Sequence, residues 1–395
     1  MRIGRVVLAA VAIAAVAGAA WFWRQAEAKH LGWPDFSVFW WQPPAAQPPV
    51  ENEAQPQASD VVRFLGLSKY LNGAQAVVTH TIDDSTRYVP RAIEAMDKYG
   101  IKATIFVSTG RRPIADLWPV LRRAVENGHE IGSHSRTHPC LWPPTLRFCF
   151  FSYSDWELAG SRDDILRETS QPHVWAFAYP CGLCSGHDFI QRKLERAGYL
   201  VARNYPNEAE GGHMVPNQQG WDTDLYNATY TQVVQKKGGI APAGRTDVAE
   251  VNRKFDEVYK NGGIYNFLSH PQWLDYGPEG FYEQHLKYLG GRPDVWYVPM
   301  GPLYAYQREI ERTRVKRLGS ERFEVTDDLP AKQYPASVTL QFSASGDWAV
   351  EADGRPLPER GPGPTDRWDG EYYRTVGNSI ILTIRPPVTL QFRKK

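Results

Sequence analysis

The chain has 395 residues, 42% of them hydrophobic, and carries 45 Lys and Arg against 44 Asp and Glu for a formal net charge of +1. That length and apolar content exclude a disordered polypeptide and allow one large domain plus a smaller one, while the balanced charge gives no electrostatic basis for a nucleic-acid partner. The 14 Trp and 20 Tyr fit stacking on sugar faces as well as core packing or interface anchoring.

Residues 1–31 open with "MRIGRVVLAAVAIAAVAGAAWFWRQ". Arg2 and Arg5 precede an uncharged run from Val6 to Trp23, just long enough to cross a bilayer, which predicts export with the arginines left in the cytoplasm. Ala17-Gly18-Ala19 offers a signal-peptidase site, whereas Trp21, Phe22 and Trp23 suit the interfacial belt of a retained membrane anchor. Either way the remainder belongs outside the cytoplasm: secreted, periplasmic, or on the extracytoplasmic face of the membrane. Disulfides become possible there for Cys140, Cys149, Cys181 and Cys184, in any of three pairings. A four-thiolate zinc site is the competing use of these cysteines. Cys181 and Cys184 have the spacing of a redox pair but lack thioredoxin-like surroundings.

Residues 32–60, rich in Pro, Gln and Ala without periodicity, predict an extended tether. From 61 to 310, short β-branched or aromatic runs alternate with helical patterns. The runs are "AQAVVTHTI", "KATIFVS", "HEIGSHS", "VWAFAYP", "YLVARNY", "IYNFLSHP" and "DVWYVPM". Segments such as "YVPRAIEAMDKYG" and "LWPVLRRAVENGH" place apolar residues at helical spacing and end in Gly or Asn-Gly, which stop helices. Strands alternating with helices imply a parallel sheet, and about seven such units predict a barrel, with chemistry where its strands end. Residues 321–395 read instead as strands separated by Gly, Asp and Pro turns, a small β-sandwich-like module.

Four strings fall at predicted strand ends. In "TIDDS", Asp83 and Asp84 are adjacent carboxylates, costly to bury together without a cation; taken alone they also read as a solvated turn. "GSHSRTHP" places His134 and His138 four residues apart, facing the same way if the segment is a helical turn. Ser135 stands where a zincin would have Glu, which excludes that class of metalloprotease. Asp84, His134 and His138 together would make one oxygen and two nitrogen ligands with positions left for water and substrate, the pattern of a catalytic zinc. "AYPCG" could turn the backbone N–H of Cys181 outward as an oxyanion donor. His270 in "LSHP" could supply a proton.

The ordered set "TIDD", "HSRTH", "AYPCG" and "LSH" resembles the polysaccharide deacetylases of carbohydrate esterase family 4, the NodB-homology domain, over roughly residues 75–305. The resemblance implies a distorted (β/α)7-type barrel of fewer than eight units. It also implies Asp83 as catalytic base, Asp84, His134 and His138 as metal ligands, and His270 as catalytic acid. Many members carry Arg where Ala178 stands here; Arg203 in "VARNY", at a neighbouring strand end, is the candidate substitute, salt-bridging Asp83, with an ordinary surface Arg as the alternative. Tyr179 and Trp221 are the aromatic candidates for substrate contact.

These residues predict a metal-dependent deacetylase removing acetyl groups, N-acetyl before O-acetyl, from an extracellular or cell-wall polysaccharide. Zinc is the first choice of metal, and the mixed donor set also admits cobalt, nickel or iron. His270 must then stay protonated near neutral pH. Two rival readings keep the same barrel: a noncatalytic glycan-binding or assembly protein, and a hydrolase of C–N bonds in a non-sugar substrate.

Overall fold

The computed structural model describes residues 62–141, 145–185, 187–203, 213–214, 224–227, 248–329, 337–361 and 370–395. The expected N-terminal export segment, the tether and Trp221 lie outside the described residues. No helix among the described residues is long and apolar enough to cross a membrane.

The first strand, β1 (Val62–Leu67), stands apart from the sheet that follows it. That sheet is built from β2 (Ala76–Asp83), β3 (Ala103–Val107), β4 (Glu130–Ser133), β5 (Ala176–Ala178), β6 (Val201–Arg203), β7 (His213–Met214), β8 (Asp224–Asn227) and β9 (Ile264–Ser269). Their order is β7-β6-β5-β4-β3-β2-β9-β8, and all pair in parallel except β7. β10 (Val295–Tyr297) pairs with the first half of β2, along Ala76–Val78, while β3 pairs with the second half, from His80 to Asp83. The result is a distorted β/α half-barrel, open between β7 and β8 among the described residues.

Helices α1 (Val89–Lys98), α2 (Ile114–Glu126), α3 (Leu146–Ser152), α4 (Asp155–Glu168), α5 (Asp188–Arg196), α6 (Val248–Lys260) and α7 (Phe281–Leu289) fill the connections. Successive strand residues point to opposite faces, so Val78 and Ile82 join one apolar core with the surrounding helices. Val77, Phe106 and Val201 join a second core with Met300, Leu303 and Tyr304 of α8 (Met300–Arg312). β2 is buried along its whole length although it carries Thr79, His80 and Thr81. Burial of the His80 ring is tolerated because it is bonded: its nitrogens meet the Phe267 carbonyl and, at 2.9 Å, the Tyr282 hydroxyl.

The remaining strands are β11 (Arg314–Arg317), β12 (Arg322–Thr326), β13 (Val338–Ala344), β14 (Trp348–Ala352), β15 (Arg355–Pro356), β16 (Tyr372–Val376), β17 (Ser379–Ile384) and β18 (Val388–Lys394). They form two antiparallel sheets, β1-β13-β17-β16 and β11-β12-β18-β14-β15, whose facing residues, including Phe323, Phe342 and Phe392, share one core. β1 thus joins the C-terminal module, pairing antiparallel with β13. Asn72, buried with φ 61°, ties the module to the barrel. Its N–H donates to Thr339 Oγ1 (2.8 Å), its side-chain oxygen accepts from Thr383 Oγ1 (2.9 Å) and Tyr372, and its carbonyl accepts from Arg374 (2.8 Å).

Glu130, buried at the start of β4, anchors α8 under the barrel. Its carboxylate accepts from Thr104 Oγ1 (2.7 Å) and from the Gly301 N–H in the first turn of α8 (2.8 Å). A Cβ at residue 301 would stand 1.9 Å from that carboxylate, so the position requires glycine. Burial raises the Glu130 carboxyl to about 7, against the pull of these hydrogen bonds. In the unfolded chain the same group ionises near its ordinary 4.5. The protonated form's contribution to stability is therefore complete below about pH 4.5 and is lost as pH rises through about 7. Relative to Glu130→Gln, the native protein should lose on the order of 3 kcal/mol between about pH 4.5 and 7.5. Urea unfolding of both proteins at the two pH values measures this, and a gap that stays constant with pH would contradict it.

Candidate active site

The C-terminal ends of β2, β4, β5, β6 and β9 converge on one face, where loops positioned by a rigid sheet carry functional side chains. Asp83 is the last residue of β2 and is buried. Asp84 follows with φ 76°, a left-handed conformation that turns the backbone, so the two neighbouring carboxylates face different partners. Asp83 is ion-paired with Arg203, itself only 1% exposed at the end of β6. Asp84 Oδ1 lies 3.7 Å from His138 Nε2, and Oδ2 accepts from Gln272 Nε2 at 3.1 Å.

His134 and His138 come together by a different route from the helical turn expected of their spacing. His134 leaves the end of β4, and the chain then reverses through left-handed Ser135 (φ 62°) and His138 (φ 57°), with Ser135 Oγ accepting from the His138 N–H at 3.0 Å. The two rings meet edge to face at 4.7 Å. Such backbone conformations are costly for non-glycine residues and persist where the surroundings hold them. Here α4 does the holding. Glu157 Oε2 accepts from the N–H groups of Arg136 (2.8 Å) and Thr137 (2.9 Å), and Arg136 grips Asp164 through two bonds of 2.7 and 2.9 Å. Gly160 makes room for this clamp, since a Cβ there would lie 2.7 Å from the Arg136 guanidinium carbon.

One donor atom from each of Asp84, His134 and His138 lies within 4.8 Å of the others. His134 Nδ1 sits 2.8 Å from the Ala178 carbonyl, which selects the tautomer with its proton on Nδ1 and leaves Nε2 as a lone-pair donor. Burial pushes both imidazoles below their ordinary range, His138 to about 4 with help from the neighbouring His134. Neutral rings are what metal ligation needs. Two nitrogens and one oxygen in this arrangement fit a divalent cation with open positions, the pattern of catalytic zinc.

Arg203 occupies the place opposite Ala178: the β5–β6 register pairs these two residues directly. Its guanidinium also lies 5.2 Å from the centre of the Phe106 ring. That ring in turn requires Gly132, where a Cβ would come within 2.6 Å of it. Burial alone would raise the Asp83 carboxyl, yet the positive charge of Arg203, with contributions from His134 and His270, holds it at about 2. Asp83 is therefore ionised at any working pH.

His270, half-buried beyond β9, stacks on Trp273 at 4.5 Å. Burial lowers its pKa, outweighing the opposing charges of Asp83 and Asp84. This direction runs against the protonated form expected near neutral pH, because desolvation disfavours the imidazolium. Tyr179 also departs from expectation. Its ring is 1% exposed, packed against Phe177 and Tyr153 at 5.4 and 6.3 Å, so its side chain belongs to the core and has no surface to offer a sugar. Cys181 is exposed in a short 3-10 turn with φ 55°.

The cysteines form two disulfides, Cys140–Cys181 and Cys149–Cys184, and no described cysteine is free, which removes the four-thiolate zinc site. Both bridges tie the segment after β4 to the turn after β5. Sequence reasoning missed Gln272 and Trp273, the partners of Asp84 and His270. Their signal was proximity alone, since they follow His270 in "SHPQW".

The profile of the polysaccharide deacetylase family matches residues 71–202. No curated protein matches the sequence. Among solved structures, the chain is similar to a family 4 carbohydrate esterase from Streptomyces lividans, with 14% identity, 54% of this chain and 86% of that chain covered, and a TM-score of 0.35. A polysaccharide deacetylase from Bacillus cereus aligns with 13% identity, coverages of 57% and 91%, and a TM-score of 0.36. A peptidoglycan deacetylase from Bacillus subtilis aligns with 18% identity, coverages of 61% and 96%, and a TM-score of 0.35.

Proposed function

Because residues 71–202 belong to the polysaccharide deacetylase family, we propose that this chain is a divalent-metal hydrolase that removes acetyl groups, N-acetyl before O-acetyl, from an extracellular or cell-wall polysaccharide. The observation that carries the reading is the gathering of one carboxylate and two neutral imidazoles within 4.8 Å, next to a second carboxylate kept ionised by a buried arginine. Asp84, His134 and His138 would hold the cation, zinc before cobalt, nickel or iron. When bound, such a cation supplies Lewis-acid polarisation of an acetyl carbonyl and lowers the pKa of water at the site.

Asp83 acts as general base: it takes a proton from the attacking water as the water oxygen bonds to the acetyl carbon. Arg203 keeps it ionised and pointed, so its lone pair is available at neutral pH. The Cys181 N–H is the donor to the oxygen that gains charge as the carbonyl becomes tetrahedral. When the C–N bond breaks, the departing nitrogen needs one proton, and His270, which interacts electrostatically with Asp83 and Asp84, delivers it. The proton that Asp83 takes from water and the one that His270 gives to nitrogen balance, and both groups return to their starting forms by exchange with solvent before the next turnover. The Cys140–Cys181 bridge holds the donor turn against the loop bearing His138. Two disulfides favour an oxidising compartment, so we place the enzyme outside the cytoplasm.

Acetate release from partially acetylated glucosamine oligomers tests the reading. Release should fall to background after chelation and return on adding zinc. A fully zinc-loaded protein that releases no acetate from a broad panel of acetylated glycans would favour the noncatalytic glycan-binding alternative.

A further inference from the structure

A cavity of about 490 Å³ opens directly from Asp84 and is bordered by Arg87, Arg111 and Arg112, with Ser85, Ser108 and Gln272 also lining it. Arg87 lies in the loop after β2, and Arg111 and Arg112 lie in the loop after β3, so all three belong to the barrel face that carries the metal-binding residues. All three are exposed. Three guanidinium groups face one carboxylate, Asp84, which cation binding would neutralise. This cavity alone holds a larger positive excess than the +1 of the whole chain.

The arginines are not committed to structural partners. Among the described residues, neither Arg111 nor Arg112 is in a salt bridge, although ion pairs are common elsewhere on the surface. Arg87 donates to the Tyr88 hydroxyl at 3.2 Å, with its guanidinium 5.2 Å from the Tyr88 ring centre, which orients it without neutralising it. A cavity with fixed positive charge beside low-dielectric protein concentrates anions, and guanidinium forks match the geometry of carboxylate and phosphate oxygens.

We propose that this arginine-lined cavity is a subsite for an anionic substituent of the glycan, a carboxylate or a phosphate carried near the acetylated sugar, so that the preferred substrate is an acidic rather than a neutral polysaccharide. The proposal rests on the deacetylase reading for its location, and on the three arginines for its chemistry. Neutral acetylated oligomers leave the guanidinium groups solvated and gain nothing from them. Acidic oligomers exchange that solvation for charge-assisted hydrogen bonds next to the reacting centre.

The test uses the zinc-loaded full chain and three probes: oligomers alternating N-acetylglucosamine with glucuronate, the same oligomers after reduction of their carboxylates to alcohols, and N-acetylhexosamine oligomers joined by phosphodiesters. Acetate release gives kcat/KM, and binding to the Asp83→Asn protein gives an affinity that needs no turnover. The acidic oligomers should exceed the reduced ones by about tenfold in both measurements. That ratio should shrink at high salt and fall to about twofold or less in the Arg111→Gln/Arg112→Gln protein. The glucuronate and phosphodiester arms identify which anion is preferred. Equal rates and equal affinities for the acidic and reduced oligomers overturn the subsite and leave the deacetylase reading intact. Tighter binding of acidic oligomers with no acetate released from any probe keeps the subsite and sinks the deacetylase reading.

Discussion

Arg203→Ala should abolish acetate release and cost about 3–5 kcal/mol of folding stability, because it leaves the Asp83 carboxylate buried without its counter-charge. The pair is deeply buried, with Arg203 at 1% and Asp83 at 3% exposure, so solvent makes good little of the loss. Without the guanidinium, burial dominates and the Asp83 carboxyl rises from about 2 toward neutrality, which removes the base as well as the stability. Metal content should be unchanged, since the donor atoms of the cluster come from Asp84, His134 and His138 and not from Arg203. Thermal unfolding, bound zinc and acetate release, measured on one preparation, separate these effects. An active Arg203→Ala enzyme would remove the assignment of Arg203 as the residue that orients the base.

Asp83→Asn should lower kcat for acetate release by roughly two to four orders of magnitude, the usual contribution of a positioned general base. The amide keeps the shape and can still meet Arg203, but it cannot accept a proton from water. Since it also leaves a buried guanidinium without an anion, the protein should be destabilised, and stability alone would not distinguish a structural from a catalytic role. A double replacement, Asp83→Leu with Arg203→Met, makes that distinction. Removing both charges should recover much of the stability lost in either single variant, with activity still absent and zinc still bound. Recovery of activity along with stability would mean that the pair is only a structural strut.

Much of the barrel was legible because its signals are local. β2 reads as a continuous apolar and β-branched run with His80 inside it, and α1 and α2 follow as amphipathic segments with their stop residues in place. The four strand-end motifs could be found for the same reason: each is a short string, and the barrel brings strand ends together on one face. Two site features were misread, both because they depend on packing. The spacing of His134 and His138 suggested a helical turn, but the left-handed residues 135 and 138 bring the rings together, held by Glu157 and Asp164 of a helix that begins nearly twenty residues later. Tyr179 looked like a sugar contact because it is aromatic and lies beside the motif, yet alternation along β5 and the Tyr153 and Phe177 rings draw it inward.

The sequence by itself determined which groups are available: two adjacent carboxylates, paired histidines, a late histidine, four cysteines, and alternating elements that must make a parallel sheet. Those are properties of nearest neighbours and short periods. Only the tertiary structure decided which groups meet. It placed Arg203 opposite Ala178, paired Cys140 with Cys181 and Cys149 with Cys184, joined β1 to β13, and lowered His270 by burying it. The physical reason is common to all four: pairing across distant strands and the loss of water around a charge are set by what packs nearby, and residues far apart in the chain provide that surrounding.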